Sequence, residues 1–419
     1  MTENLIIFNA RLVTPTGTSA RCGAQEMNHL HILDNATVEI TKGIITYVGA
    51  SRGETRDGYY NHFWHYNARG KCLLPGFVDS HTHPVFDGER ADEFNRRLRG
   101  ESYLSIMQSG GGIAATVRAT RNATYYTLRA RAETLLKQMS LMGVTTVEAK
   151  SGYGLDRDTE LMLLRVIQGL QRDEHRRVDI VPTYLGAHAI PAEYAGRPDD
   201  YIDFITGEML PHIARHRLAA FCDVFCEAGV FSVEQSRRLL TAARRYGFGL
   251  KLHADELASL GGAELAAELH AVSADHLLHV SEAGIRQLRA AGVVATLLPL
   301  TAFILKAPYA PGRQLIDSGL AVALATDLNP GSAFSGSVPL TFALACIYMG
   351  LTIEEAITAF TLNGAAALNR ADTIGSIETG KQGDMVLLNT DNYHQLTYYV
   401  GMNSVIATIK GGVIHPLNG

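Results

Sequence analysis

The sequence predicts an α/β protein: a (β/α)8, TIM-like barrel with a small β domain assembled from both chain ends. Three observations point there. The middle of the chain holds eight apolar runs of strand type, segments with helically spaced apolar residues separate most of them, and both ends read as short strands joined by turns.

At the amino end, NLIIFNARLV, HLHILDNATVEITKG and IITYVGA alternate or run apolar, with Lys42-Gly43 as a hairpin turn. The eight central runs are FVDSH (77–81), VTTVEAK (144–150), VDIVPTYLG (178–186), CDVFCE (222–227), FGLKLH (248–253), ADHLLH (274–279), VVATLL (293–298) and AVALATD (321–327). YYTLRARAETLLKQMSLMG and VEQSRRLLTAARRYG are typical of the helices between them. GSIETGKQGDMVLLNT and NSVIATIKGGVIHP then repeat the style of the amino end. The expected division is 1–72 and 369–419 for the two parts of the β domain and 73–368 for the barrel.

Composition narrows the function classes. Hydrophobic residues at 47% and charged residues at 19% of 419 fit a soluble globular chain with a large core. A net charge of -5 with no long basic run argues against nucleic acid or an anionic membrane as partner. Cys22, Cys72, Cys222, Cys226 and Cys346 are odd in number and scattered, which suits a reduced compartment. The start MTENLIIFNARLV lacks the pattern of a signal peptide and reads as a cytoplasmic one. Residues 328–353 carry no charge, but only the part from Val338 is apolar, short of the roughly eighteen residues of a membrane span, and it reads as a buried helix.

The polar residues fall at strand ends. PGFVDSHTHP places His81 and His83 two apart at the end of the first barrel strand, on one side if extended geometry persists. With 16 histidines in the chain, an accidental H-x-H is expected in roughly one of two such chains, and His29 with His31 forms another. Position is what separates the two pairs: His253 ends strand five, His276 lies in strand six and Asp327 ends strand eight. Singly, each reads as an ordinary hydrogen-bonded or surface group; jointly, three histidines and an aspartate at one barrel mouth make a site for a metal with room for water. His29 and His31 lack that company and read as structural. A bound divalent ion lowers the pKa of its water to roughly 7, giving a hydroxide nucleophile. Glu256, in KLHADEL, is placed to move the proton, or else is a helix-start carboxylate. His276 and Asp327 are candidates to orient the hydroxide.

PGFVDSHTHP, KLHADE and ATDLNPGS, in this order, resemble the amidohydrolase superfamily of metal-dependent barrel hydrolases. DSHTHPVFDGERADEFNRRLRGESY, GGGIAATVRATR and GVTTVEAKSGYGL resemble, more narrowly, the imidazolonepropionase family. The likeness runs from about residue 70 to 370, and the termini match only in general character. It implies a β-sandwich built from both termini, and one Zn2+ or Fe3+ per subunit held by His81, His83, His253 and Asp327. It implies hydrolysis of the cyclic amide of 4-imidazolone-5-propanoate to N-formimidoyl-L-glutamate in histidine degradation. Arg90, Tyr153, His188 and Glu256 are the implied contacts to the imidazolone, Asn329, Gly331 and Ser332 those to the product, and a homodimer is the implied assembly.

Chemistry suits those assignments. A propanoate asks for a bidentate cation, which Arg90 supplies and which would otherwise be a surface charge. Tyr153, between two glycines, is lifted by a turn or else packs. His188 ends strand three and can donate to a carbonyl as charge develops on it. NPGS is a turn whose amides suit a carboxylate, or else a plain turn, the default for such a sequence. Lys150 and Glu227, at the ends of strands two and four, read as structural support for a one-metal site. QSGGGI (108–113) lacks the Gly-Lys-Ser/Thr ending of a phosphate loop and reads as a mobile loop near the mouth. Trp64 has no role in this scheme. The rival readings are a superfamily deaminase of a cyclic amidine, which shares the metal residues, and a catalytically silent metal-binding scaffold.

Overall fold

A computed structural model describes residues 4–50, 62–101, 105–106, 109–174 and 176–417. Its strands are β1 (Leu5–Thr14), β2 (His31–Thr41), β3 (Ile44–Ala50), β4 (Trp64–Asn67), β5 (Cys72–Pro75), β6 (Phe77–Asp79), β7 (Val144–Lys150) and β8 (Asp179–Ala187). They continue as β9 (Phe221–Cys226), β10 (Gly249–Ala254), β11 (Ser273–His276), β12 (Val294–Leu297), β13 (Val322–Leu324), β14 (Met385–Leu388), β15 (Val405–Lys410) and β16 (Val413–Pro416). Two sheets of eight result.

The first sheet is made by both chain ends, in the order β16-β15-β14-β5-β1-β2-β3, with β4 also on β1. Lys42 and Gly43 turn β2 into β3 with φ of 50° and 80°, the left-handed pair a two-residue hairpin requires. β1 pairs with β4 through residues 5–8 and with β5 through residues 11–12, so it changes neighbour along its length. The far edge returns on the carboxyl-terminal segment, where Ile44 bridges Gln382. Leu5, Ile7, Leu12, Leu73, Leu387 and Ile409 fill the core this rolled sheet encloses.

The same sheet also packs on the barrel. In CLLP and MVLL, Leu73, Met385 and Leu387 face the small core while Cys72, Leu74, Val386 and Leu388 face the large one. Period-two alternation with apolar residues on both faces is why these strands read as unbroken apolar runs.

The second sheet is the barrel, β6 through β13 in sequence order, each strand parallel to the next. Thr82 bridges Leu328 across the seam between first and last strands. Thr326 donates to Asp79 from N at 3.0 Å and from Oγ1 at 2.6 Å, joining residues 247 apart in the chain. His83 N donates to Leu328 O at 2.8 Å and Asp327 N to His81 O at 3.1 Å, so the residues that close the barrel also carry the candidate ligands.

The connecting helices obey local signals. Tyr125–Leu141 starts at Thr124, whose side chain accepts from Thr127 N, and Val233–Arg245 starts at a Ser232/Gln235 capping box. The uncharged stretch from residue 328 divides: Val338–Tyr348 is a largely buried helix, Gly350 breaks it at φ 73°, and Thr352 caps a new helix over Ile353–Ala359. Among the described residues no helix is long and apolar enough to cross a membrane. The sixth barrel strand stops at His276, short of the expected 279, because His276 and Leu277 adopt φ of 76° and 60°. Of QSGGGI, Gln108 lies outside the described residues, and Ile113 opens the helix Ile113–Asn122. Trp64 sits on β4 with 70% of its surface exposed, and His29 and His31 are exposed.

Candidate metal centre and active site

Four strands bring the polar cluster to the carboxyl-terminal mouth of the barrel. His81 and His83 follow β6, His253 lies in β10, His276 ends β11 and Asp327 follows β13. All five are buried. The ligand atoms of His81, His253 and His276 lie within 4.8 Å of one another, and so do those of His81, His83 and Asp327. Asp327 Oδ1 is 3.6 Å from His81 Nε2 and from His83 Nε2, while Oδ2 accepts from Thr301 Oγ1 at 2.5 Å. Left-handed backbone recurs at these strand ends, with φ of 50° at Asp255, 76° at His276 and 53° at Asp327. Such conformations persist where the surroundings over-determine them, and they concentrate at functional sites.

A layer of buried charge lies beneath the histidines. His81 Nδ1 donates to Asp275 Oδ2 at 2.6 Å, and His253 Nδ1 is 3.1 Å from Asp223 Oδ2. Lys150 Nζ reaches Asp223 at 2.6 Å, Glu148 at 3.0 Å and Asp275 at 3.7 Å. Lys251 Nζ is 3.3 Å from Glu148 and donates to Ser80 O at 3.0 Å. Burial opposes the Lys150 charge, yet Asp223, Glu148 and Asp275 together raise its pKa well above the usual lysine value.

This arrangement fits a metal ion. A ligating imidazole is neutral and gives its second nitrogen to a carboxylate or carbonyl behind it, as His81 does to Asp275, while His253 Nδ1 faces Asp223. Burial, then the cationic neighbours, push His81 and His276 well below the ordinary imidazole range, and burial with the other histidines does so for His83. At His253 burial lowers the pKa but Asp223 more than offsets it. His81 Nε2, His83 Nδ1, His253 Nδ1 and both nitrogens of His276 are buried without a protein hydrogen-bond partner. Buried polar atoms in that state call for a missing partner. His81, Glu148 and Asp275 also approach one another closely, but Lys150 and Lys251 already balance those carboxylates, which makes them supports of the histidines.

The expected substrate residues surround this centre unevenly. Tyr153 and His188 have ring centroids 5.8 and 5.2 Å from that of His83. His188 Nδ1 is bonded to Gly152 O at 3.0 Å, and burial pushes its pKa down to about 3. Glu256 Oε2 is 3.6 Å from His276 Nε2, and burial, reinforced by the Asp327 charge, pushes its pKa up to about 8. Glu227 is no part of the cluster; it accepts from Leu257 N at 2.8 Å and so pins the loop that carries Glu256. Arg90 lines a cavity of about 270 Å³ with Gly331, Ser332, Phe94 and Phe334. A Cβ on Gly331 would fall 2.4 Å from Arg90 Nη1, so only glycine lets the guanidinium lie on the turn. The Gly331 and Ser332 amides, offered by the sequence to a ligand carboxylate, both donate to Asn329 Oδ1 at 2.8 Å. An asparagine heading a turn bonds its own following amides, and that competition takes them here.

The amidohydrolase family model matches residues 225–414. Imidazolonepropionase of Bacteroides thetaiotaomicron is 72% identical over 418 residues, covering all of both chains. Those of Phocaeicola vulgatus and Clostridium tetani are 64% and 54% identical, covering 99% and 98% of this chain and of each relative. The chain belongs to the imidazolonepropionase family. Among solved structures, a zinc-bound adenosine deaminase from Xanthomonas campestris aligns with a TM-score of 0.71 at 20% identity, covering 98% of this chain and 92% of its own. A 5-methylcytosine deaminase from Klebsiella pneumoniae gives 0.72 at 18%, covering 98% and 97%. These distant likenesses show the shared barrel-and-sheet fold, and the superfamily as a whole is metal-dependent.

Position at the strand ends led to the ring of histidines but not to the groups behind it. Glu148, Asp223, Lys251, Asp255 and Asp275 escaped the sequence reading. One signal was available: each is a charged residue within or just after a short apolar strand, and Glu148 with Lys150 and Lys251 with His253 repeat at the two-residue spacing of one strand face.

Proposed function

We propose that the chain is an imidazolonepropionase, opening the cyclic amide of 4-imidazolone-5-propanoate with water to give N-formimidoyl-L-glutamate. The observation that carries this is 72% identity along the whole chain to a relative of that name. His81, His83, His253 and Asp327 would hold one zinc or iron ion per subunit; when bound, that ion supplies Lewis-acid polarisation and a more acidic water. The remaining work falls to the chain's own groups. Glu256 takes the proton of the attacking water and delivers it to the ring nitrogen as the C–N bond breaks and a new C–O bond forms. His276 and Asp327 orient that water. Arg90 pairs with the propanoate, Tyr153 and His188 flank the ring, and the Asn329–Ser332 turn backs Arg90 and receives the product. The reading includes a homodimer in the cytoplasm.

The test is a spectrophotometric assay with freshly generated imidazolone propanoate on metal-loaded and chelated protein. Turnover that disappears on chelation is expected. Ammonia release from guanine or cytosine analogues, with no turnover of the imidazolone, would overturn the reading in favour of a deaminase. Arg90→Ala is expected to keep its metal while KM rises roughly ten- to a hundredfold, the loss of a charge-assisted pair; a variant that sheds metal counts against the role given to Arg90.

A further inference from the structure

Glu160 is a buried acid outside the ring of histidines and outside every role assigned above. It sits in the first turn of the helix Arg157–Gln171 with about 1% of its surface exposed. One oxygen, Oε1, accepts from three backbone amides of the preceding loop: Gly152 N at 3.1 Å, Gly154 N at 2.7 Å and Leu155 N at 3.1 Å. Those amides bracket Tyr153. The carbonyls of the same loop are also engaged, Gly152 O by His188 Nδ1 at 3.0 Å and Gly154 O by Arg121 Nε at 2.8 Å.

The loop backbone turns through two positive-φ residues, one a glycine that adopts such angles freely and the other a leucine that does not. Gly152 has φ of 110° and Leu155 of 59°. A Cβ on Gly154 would fall 2.7 Å from Glu160 N, so loop and helix are in backbone contact. Amides converging on one carboxylate oxygen form charge-assisted bonds, stronger than those to a neutral acceptor. We propose that Glu160 is a positioning residue that sets the conformation of the Ser151–Leu155 loop, and through it the placement of Tyr153 and His188 beside the substrate ring. This rests on the substrate reading above and deepens it.

Glu160→Gln keeps the shape of the side chain and removes its charge. In the metal-loaded enzyme it is expected to raise KM for imidazolone propanoate about tenfold and to change kcat less than threefold, the signature of lost uniform binding. Amide hydrogen exchange at Gly152, Gly154 and Leu155 should accelerate. Combined with Tyr153→Phe, the effects on KM should not multiply, because both variants act on one contact. A folded Glu160→Gln protein with unchanged KM, or with effects that multiply, overturns the proposal; a lowered Tm alone is what a purely structural residue would give. Should Glu160→Gln fail to fold, Gly154→Ala perturbs the loop from its other side, and a rise in KM there supports the proposal while wild-type KM overturns it. Turnover by the unaltered chain is read separately, so failure of the substrate assignment is told apart from failure of this one.

Discussion

The rolled terminal sheet is built on Leu5, Ile7, Leu12, Leu73, Leu387 and Ile409, whereas the barrel interior under the histidines buries Glu148, Lys150, Asp223, Lys251 and Asp275 at 0% exposure. The two regions resist change in different ways. An apolar core tolerates volume-conserving exchange and loses stability in proportion to the cavity made. A buried charge layer has no such tolerance, since removing one member strands its partner without water. Its carboxylates stand behind the imidazoles, Asp275 accepting from His81 and Asp223 facing His253, and orienting an imidazole in this way is a task no apolar residue performs.

That contrast can be broken at several points. The largest effect is expected from His253→Ala, which should lose both metal and turnover down to background while the fold survives; metal analysis beside the assay checks it. Lys150→Met should destabilise by about 3–5 kcal/mol, because Asp223 and Glu148 keep their charges with fewer partners, and should also weaken metal retention. Unfolding in urea together with metal content decides this, and wild-type values for both would refute the charge-layer account. In the terminal sheet, Leu12→Ala should cost about 3 kcal/mol, within the range for a buried leucine, yet leave metal content and KM unchanged. A change in KM there would show that the two regions are less separate than the cores suggest.

The smallest effect concerns the contact between the regions. Asp179, at the start of β8, is 2.8 Å from Lys410 of β15 and 3.4 Å from Arg370. Burial would raise its pKa, but Lys410 and then Arg370 and Arg176 hold it down at about 2. Because the folded value lies below the unfolded one of roughly 3.9, this pair stabilises the protein above pH 4, and that contribution drains away as pH falls towards 2. It amounts to about 2 kcal/mol. Asp179→Asn should lose that much at pH 7 and converge on the wild type near pH 2, as stability measured across the range would reveal.

Much of the fold was legible because its signals are local. The hairpin at Lys42-Gly43, the caps at Thr124 and Ser232, and the eight apolar runs each depend on a few adjacent residues. Where the reading slipped, a conformation set from outside intervened. The end of the sixth strand at His276 depends on left-handed backbone that no neighbouring glycine announces. At NPGS the turn keeps the default form for such a sequence, with the Gly331 and Ser332 amides on Asn329 Oδ1. Glu160 offered no motif of its own, only three amides that arrive once the loop has folded back.

The sequence by itself determined the element types, the family and the set of histidines and carboxylates available for a metal, since periodicity and motif spacing are written along the chain. Only the tertiary structure decided which of those groups meet. Closure of β6 against β13 joins residues 247 apart and sets Asp327 Oδ1 3.6 Å from His81 and His83. The parallel neighbours β9, β10 and β11 then place Asp223 and Asp275 behind the histidines. Hydrogen bonds and charge pairing act over a few ångströms of space, and a linear sequence does not carry that distance.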